Sequence, residues 1–147
     1  MNASATDIRA WVDVLAEMPL FAGVGKRDLR RIARAGEVAE YAPGDMVIVS
    51  GSRADDFYVI LAGEATAPWK PAARDLKLGD YFGELGLLDG GPRSAFVVAK
   101  TELQVLRLRR RAFDDVVRRH PTVARTFLTE LGLRVRELER QAARRTN

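Results

Sequence analysis

At 147 residues, 47% hydrophobic and 30% charged, the chain fits one globular domain with a single core and leaves no room for two. The absence of cysteine excludes disulfides, thiolate chemistry and zinc sites built on Cys, and one histidine, His120, excludes a His-rich metal centre. The net charge of +4 is unevenly spread: residues 107–147 hold twelve arginines and five acids, a balance of +7, which leaves 4 − 7 = −3 for residues 1–106. A basic tail on an acidic body reads first as a solvated arginine-rich helix face, as high-GC genomes often encode, and second as a surface for nucleic acid or acidic lipid. The first residues lack the basic and apolar regions of a signal peptide, and no stretch reaches the roughly 18 to 20 apolar residues of a membrane span. The expected location is therefore cytoplasmic.

In chain order, the segment Asp7 to Met18 reads as a helix, because Ile8, Trp11, Val12 and Leu15 fall at i, i+3, i+4 and i+7. Thr6 or Asp7 is its expected N-cap. Pro19-Leu20-Phe21 breaks it, and a second short helix near 27–35 turns Leu29, Ile32 and Ala33 inward. After Gly36 come short β-type runs, 37–41, 46–50, 57–61 and 64–67, separated by clusters rich in Gly, Pro, Ser and Asp. Such spacing indicates an antiparallel β-barrel or sandwich. Pro68 and Pro71 predict a shortened hairpin around Trp69–Ala73, resuming with Leu76 and Leu78. Strands are expected at 94–99 and 103–108, then a helix at 110–119. Pro121 suits the first turn of a longer helix to about Arg145, with Val123, Phe127, Leu128, Leu131, Val135 and Leu138 apolar. The expected division is a helical preface over 1–36, a barrel over 37–108 and C-terminal helices over 110–147, the fold class being α+β.

The stretch from Asp80 to Ala95 carries the chemistry. Gly79, Gly83 and Gly86 permit sharp turns and close backbone approach. A short helical turn over 84–88 points its free N–H groups at whatever lies at its start, a ready anion site. Arg93, behind the rigid Pro92, supplies a planar fork suited to phosphate. Glu84 makes sense beside an anion only if it faces a hydroxyl donor such as a ribose 2′-OH. Phosphate, sugar hydroxyl and apolar surroundings together indicate a nucleotide. The plainer alternative is a glycine-rich turn with a surface Glu84–Arg93 salt bridge.

Phe-Gly-Glu-Leu-Gly-Leu-Leu followed by Gly-Gly-Pro-Arg-Ser-Ala resembles the phosphate-binding cassette, here 82–95, of the cyclic nucleotide-binding domain family. That family includes regulatory subunits of cAMP-dependent kinase, cyclic-nucleotide-gated channels and catabolite activator proteins. Pro19-Leu20-Phe21, the turn 41–45 and the hairpin 56–63 are similar to its other landmarks. The resemblance implies a jelly-roll barrel of the double-stranded β-helix type with flanking helices. It implies that Glu84 accepts from the ribose 2′-OH and that Arg93 pairs with the cyclic phosphate, supported by backbone N–H groups around Gly83, Leu85, Gly86, Ser94 and Ala95. The arginine-rich, bacterial-looking character of the chain favours cAMP as the ligand, while Ser94, where alanine goes with cAMP selectivity in that family, leaves cGMP open. The resemblance further implies a C-terminal helix that folds over the base, with Phe127, Leu131 and Leu138 as lid candidates, although the same stripe could instead pair with its copy in a homodimer.

No cofactor beyond this ligand is expected, no metal-ligand spacing is present, and no nucleophile-plus-base set suggests an enzyme. The expected partners are a cyclic nucleotide and an effector protein or attached domain. The sequence leaves no room for a winged helix-turn-helix after the long helix, so no DNA-binding domain is expected. Two competing readings are a nucleic-acid-binding regulator using the arginine-rich tail, and a protein-interaction module with a degenerate cassette. His120 reads as a cap or surface residue, Trp69 as a loop anchor or a lid on the base, and Asp55-Asp56 as turn acids.

Overall fold

A computed structural model of the chain describes residues 3–68 and 73–146. The hairpin expected around Trp69–Ala73 lies, but for Ala73, outside the described residues, as does Trp69. The first helix, α1 (Ala5–Glu17), starts two residues earlier than its apolar spacing suggests. Its N-cap is Ser4 rather than Thr6 or Asp7. The Ser4 hydroxyl accepts from the Asp7 N–H at 3.1 Å and the Asp7 carboxylate accepts from the Ser4 N–H at 3.2 Å, a reciprocal capping box. A 3₁₀ turn (Pro19–Phe21) and α2 (Lys26–Ala35) complete the preface, with Leu29, Ile32 and Ala33 of α2 buried.

Among the described residues eight strands follow: β1 (Glu37–Tyr41), β2 (Met46–Ile48), β3 (Asp56–Ala62), β4 (Ala65–Ala67), β5 (Arg74–Leu76), β6 (Tyr81–Phe82), β7 (Val97–Ala99) and β8 (Leu103–Arg109). They form two four-stranded antiparallel sheets, in the orders β1-β8-β3-β6 and β2-β7-β4-β5. The class is α+β, but among the described residues the two sheets are not joined into a closed barrel. Ser94, Ala95 and Phe96 stay outside β7, and the exposed Leu78 belongs to no strand.

Two long central strands divide the core by the two-residue period of β structure. Phe57, Val59 and Leu61 of β3, with Leu106 and Leu108 of β8, face a cluster built with the helices. Tyr58 and Ile60, with Leu103 and Val105, face the second sheet. Burial on both faces explains why 56–61 is buried without a break. α3 (Glu84–Asp89) lies between β6 and β7, and α4 (Arg110–Arg119) and α5 (Pro121–Thr146) close the fold. No helix among the described residues is long and apolar enough to cross a membrane.

Candidate functional site

A cavity of about 530 Å³ opens between the second sheet, the 79–86 segment, residues 93–95 and α5. That size lies within the range of about 300–1,000 Å³ common for small-molecule sites. Its apolar wall comes from Ile48, Leu76 and Val97, which alternate inward from three strands. Two glycines are required by the geometry. Gly83 has φ +90°, and a Cβ there would lie 3.0 Å from Arg93 Nη1 and 3.1 Å from the Asp56 oxygen. A Cβ on the buried Gly86 would collide with Ala54, so the α3 backbone packs on the turn before β3. No side chain among the described residues caps the start of α3 at Gly83.

Arg93 is held rigidly and is only 7% exposed. Its Nη1 donates to the Gly83 oxygen at 2.6 Å and its Nη2 to the Asp56 oxygen at 2.5 Å. Its guanidinium carbon lies 5.8 Å from the Tyr58 ring centroid, and that ring stacks on Phe82 at 4.9 Å. The backbone is clamped too: Arg93 N–H donates to Ser52 and Gly51 N–H donates to Arg93, both at 2.8 Å. The guanidinium is therefore oriented in advance at the cavity that Arg93 lines. No Glu84–Arg93 salt bridge forms among the described residues, because Arg93 is buried against carbonyl oxygens; the surface-pair alternative is set aside.

Glu84 lines the same cavity, and burial pushes its carboxyl above the ordinary glutamate range. Its own backbone N–H and the charges of Arg74, Arg134 and Arg93 act in the opposite direction. Burial also raises Glu130, against the charge of Arg74, and lowers Arg134, against the charge of Glu84. Arginines from β5, α5 and the 93–95 segment thus surround two partly desolvated carboxylates. The Tyr81 hydroxyl donates to Glu130, joining β6 to α5.

The seven expected ligand residues, Gly83, Glu84, Leu85, Gly86, Arg93, Ser94 and Ala95, all line this one cavity. Of the lid candidates, Phe127 and Leu131 line it, whereas Leu138 is 46% exposed and lies outside it. Leu138 lies outside because α5 rises about 1.5 Å per residue and has passed the cavity before reaching it. Asp56 is corrected: it is not a turn acid but opens β3, nearly buried, with Arg109 Nη1 3.9 Å away. Sequence reasoning missed Arg74, Glu130 and Arg134. Phe127, Glu130, Leu131 and Arg134 share the i, i+3, i+4, i+7 spacing of one helix face, a signal hidden by following apolar residues alone. Arg74 had no comparable signal.

The family profile for the cyclic nucleotide-binding domain matches residues 38–120. A cAMP-dependent protein kinase regulatory subunit from Pyricularia oryzae is 34% identical over 143 residues, covering 95% of this chain and 37% of that protein. The chain thus spans little more than a third of that relative's length. Among solved structures, one described as Sp-2Cl-cAMPS bound to PKAR CBD2 is similar with a TM-score of 0.69 and 27% identity, covering 87% of this chain and 93% of that one. The catabolite activator protein of Thermus thermophilus matches with a TM-score of 0.74 and 28% identity, covering 84% and 61%. Fungal relatives such as the Pyricularia protein do not support the expectation of a bacterial source.

Proposed function

Because the chain belongs to the cyclic nucleotide-binding domain family, we propose that it is a cyclic nucleotide sensor, with cAMP as its first ligand and cGMP left open by Ser94. The observation that carries this reading is the convergence of a preoriented Arg93 and a desolvated Glu84 on one cavity. Arg93 pairs with the cyclic phosphate and Glu84 accepts from the ribose 2′-OH. The amides around Gly83, Leu85, Gly86, Ser94 and Ala95 complete the cradle, and the apolar wall takes the base. Phe127 and Leu131 cover the ligand from α5. Ligand and α5 are coupled only if closed and open forms bind with different free energies. A shift from 1:99 to 99:1 requires about 5.5 kcal/mol of differential affinity, within reach of a phosphate pair plus a buried base.

The output is a movement of α5 passed to an effector protein or an attached domain, in a cytoplasmic setting, with no catalysis by this chain. The regulatory-subunit relatives support a regulatory role. Exposure of Leu128 (70%), Val135 (52%) and Leu138 on α5 supports self-association through this helix. Sedimentation equilibrium tests this: a monomer that stays monomeric at high concentration would exclude a homodimer.

The pH dependence of affinity tests the site. The 2′-OH contact needs the Glu84 carboxylate, whose pKa is raised by burial. Affinity is therefore expected to fall as pH drops through a range that burial has moved above that of an ordinary glutamate. The ligand-free chain behaves oppositely. Its folded form holds that proton more tightly than its unfolded form, so the contribution of Glu84 to stability rises as pH falls through the same window. Glu84→Gln is expected to bind about tenfold more weakly at neutral pH and to lose this pH dependence. Equal affinity and an unchanged pH profile in the variant would rule Glu84 out as the hydroxyl acceptor.

A further inference from the structure

We infer that Tyr81 is a positioning residue that fastens the phosphate-binding segment to α5, through the hydrogen bond from its phenol to Glu130 and the packing of its ring on Phe127. The inference rests on the nucleotide reading above and adds a specific pair of side chains to it. Tyr81 directly precedes Phe82, Gly83 and Glu84, so a shift of that segment carries its side chain along. Its ring meets Phe127 edge-on at 5.6 Å between centroids and Phe57 at 5.5 Å. Its hydroxyl donates to the Glu130 carboxylate, three residues further along α5. One side chain therefore grips α5 at two neighbouring places, one apolar and one polar.

The polar grip matters because of where the apolar packing stops. Val123 and Phe127 are buried, but beyond them Leu128, Leu133, Val135 and Leu138 are exposed. The stretch of α5 that passes the cavity after Phe127 is thus held largely by the side chains it directs at the cavity rim. Glu130 is one of these, and it is partly desolvated with Arg74 of β5 as its nearby cation. The bond sits at an exposed rim, but a phenol donating to a carboxylate is charge-assisted and so stronger than a neutral pair. When ligand draws on Glu84 and Arg93, the adjoining Tyr81 keeps α5 in register over the base. Loss of its hydroxyl should act mainly on how long the ligand stays.

Tyr81→Phe keeps the ring and deletes only the donor. Release of a fluorescent cAMP analogue, followed by stopped flow, is expected to be about three- to tenfold faster, with the association rate unchanged. Glu130→Gln retains an acceptor and should fall between wild type and Tyr81→Phe. In a Glu130→Ala background, Tyr81→Phe should have no further effect. Hydrogen exchange of the ligand-free chain supplies a readout that needs no nucleotide. Tyr81→Phe is expected to speed exchange over residues 128–140 and leave 57–61 unchanged. A wild type that binds no nucleotide would overturn the sensor reading and this inference with it, whatever exchange shows. A wild type that binds, with release and α5 exchange both unaltered in Tyr81→Phe, would overturn the Tyr81–Glu130 role alone.

Discussion

Arg93→Ala is expected to weaken cyclic nucleotide binding at least about a hundredfold, close to 2.7 kcal/mol. Hydrogen bonds to charged groups contribute about 1.5–3 kcal/mol, and a guanidinium can present two to one phosphate. Here the guanidinium is fixed by the Gly83 and Asp56 oxygens, so little ordering remains to be done on binding. The same substitution strips those carbonyls of a donor inside the protein, at about 1–3 kcal/mol of stability. Arg93→Lys separates the two effects. It keeps the charge but not the fork, and should bind more weakly than wild type and more tightly than the alanine variant. Titration calorimetry beside thermal melts of the ligand-free chains checks both. An alanine variant that stays folded and binds as tightly as wild type would remove Arg93 from the phosphate.

Phe127→Ala is expected to carry the largest stability loss, about 3–5 kcal/mol. Phe127 is 3% exposed, and its ring packs between Phe113 at 5.7 Å, Tyr81 at 5.6 Å and Phe57 at 6.2 Å. Little else apolar anchors this half of α5, since Val123 is its other buried residue. For a chain of this length the melting temperature should drop by roughly 8–15 °C. Exchange and protease sensitivity should rise along α5 before the sheets respond, because β3 and β8 keep their own inter-sheet packing. Nucleotide affinity should fall as well, since Phe127 is a wall of the cavity. Leu138→Ala is the control: exposed and outside the cavity, it should change stability by no more than about 0.5 kcal/mol and leave affinity unaltered. A Phe127→Ala chain that melts like wild type would mean that α5 is held elsewhere.

How far these residues could be read from the sequence depended on how local their interactions are. β1 and α4 begin and end where their patterns place them, because alternation, helical spacing and the Pro121 stop are local signals. The cassette was legible for the same reason: Gly83, Glu84, Gly86 and Arg93 lie within eleven residues and are constrained by backbone geometry. What stayed hidden depends on contacts across the chain. The acceptors that orient Arg93 include the Asp56 oxygen, 37 residues away. The charged rim joins Arg74, Glu84, Glu130 and Arg134 from three elements, and no local pattern pairs them. Leu138 matched the apolar stripe, yet the stripe outruns the body it packs on. The start of α1 was misplaced because an Asp at the third helical position, not the apolar spacing, selects Ser4 as the cap.

Calorimetric titration of the purified chain with cAMP, and in parallel with cGMP, tests the sensor reading most directly. The expected result is saturable binding of one nucleotide per chain, tighter for cAMP, with the complex melting at higher temperature than the free chain. No heat and no rise in melting temperature with either nucleotide would contradict it and leave the cavity without its proposed ligand.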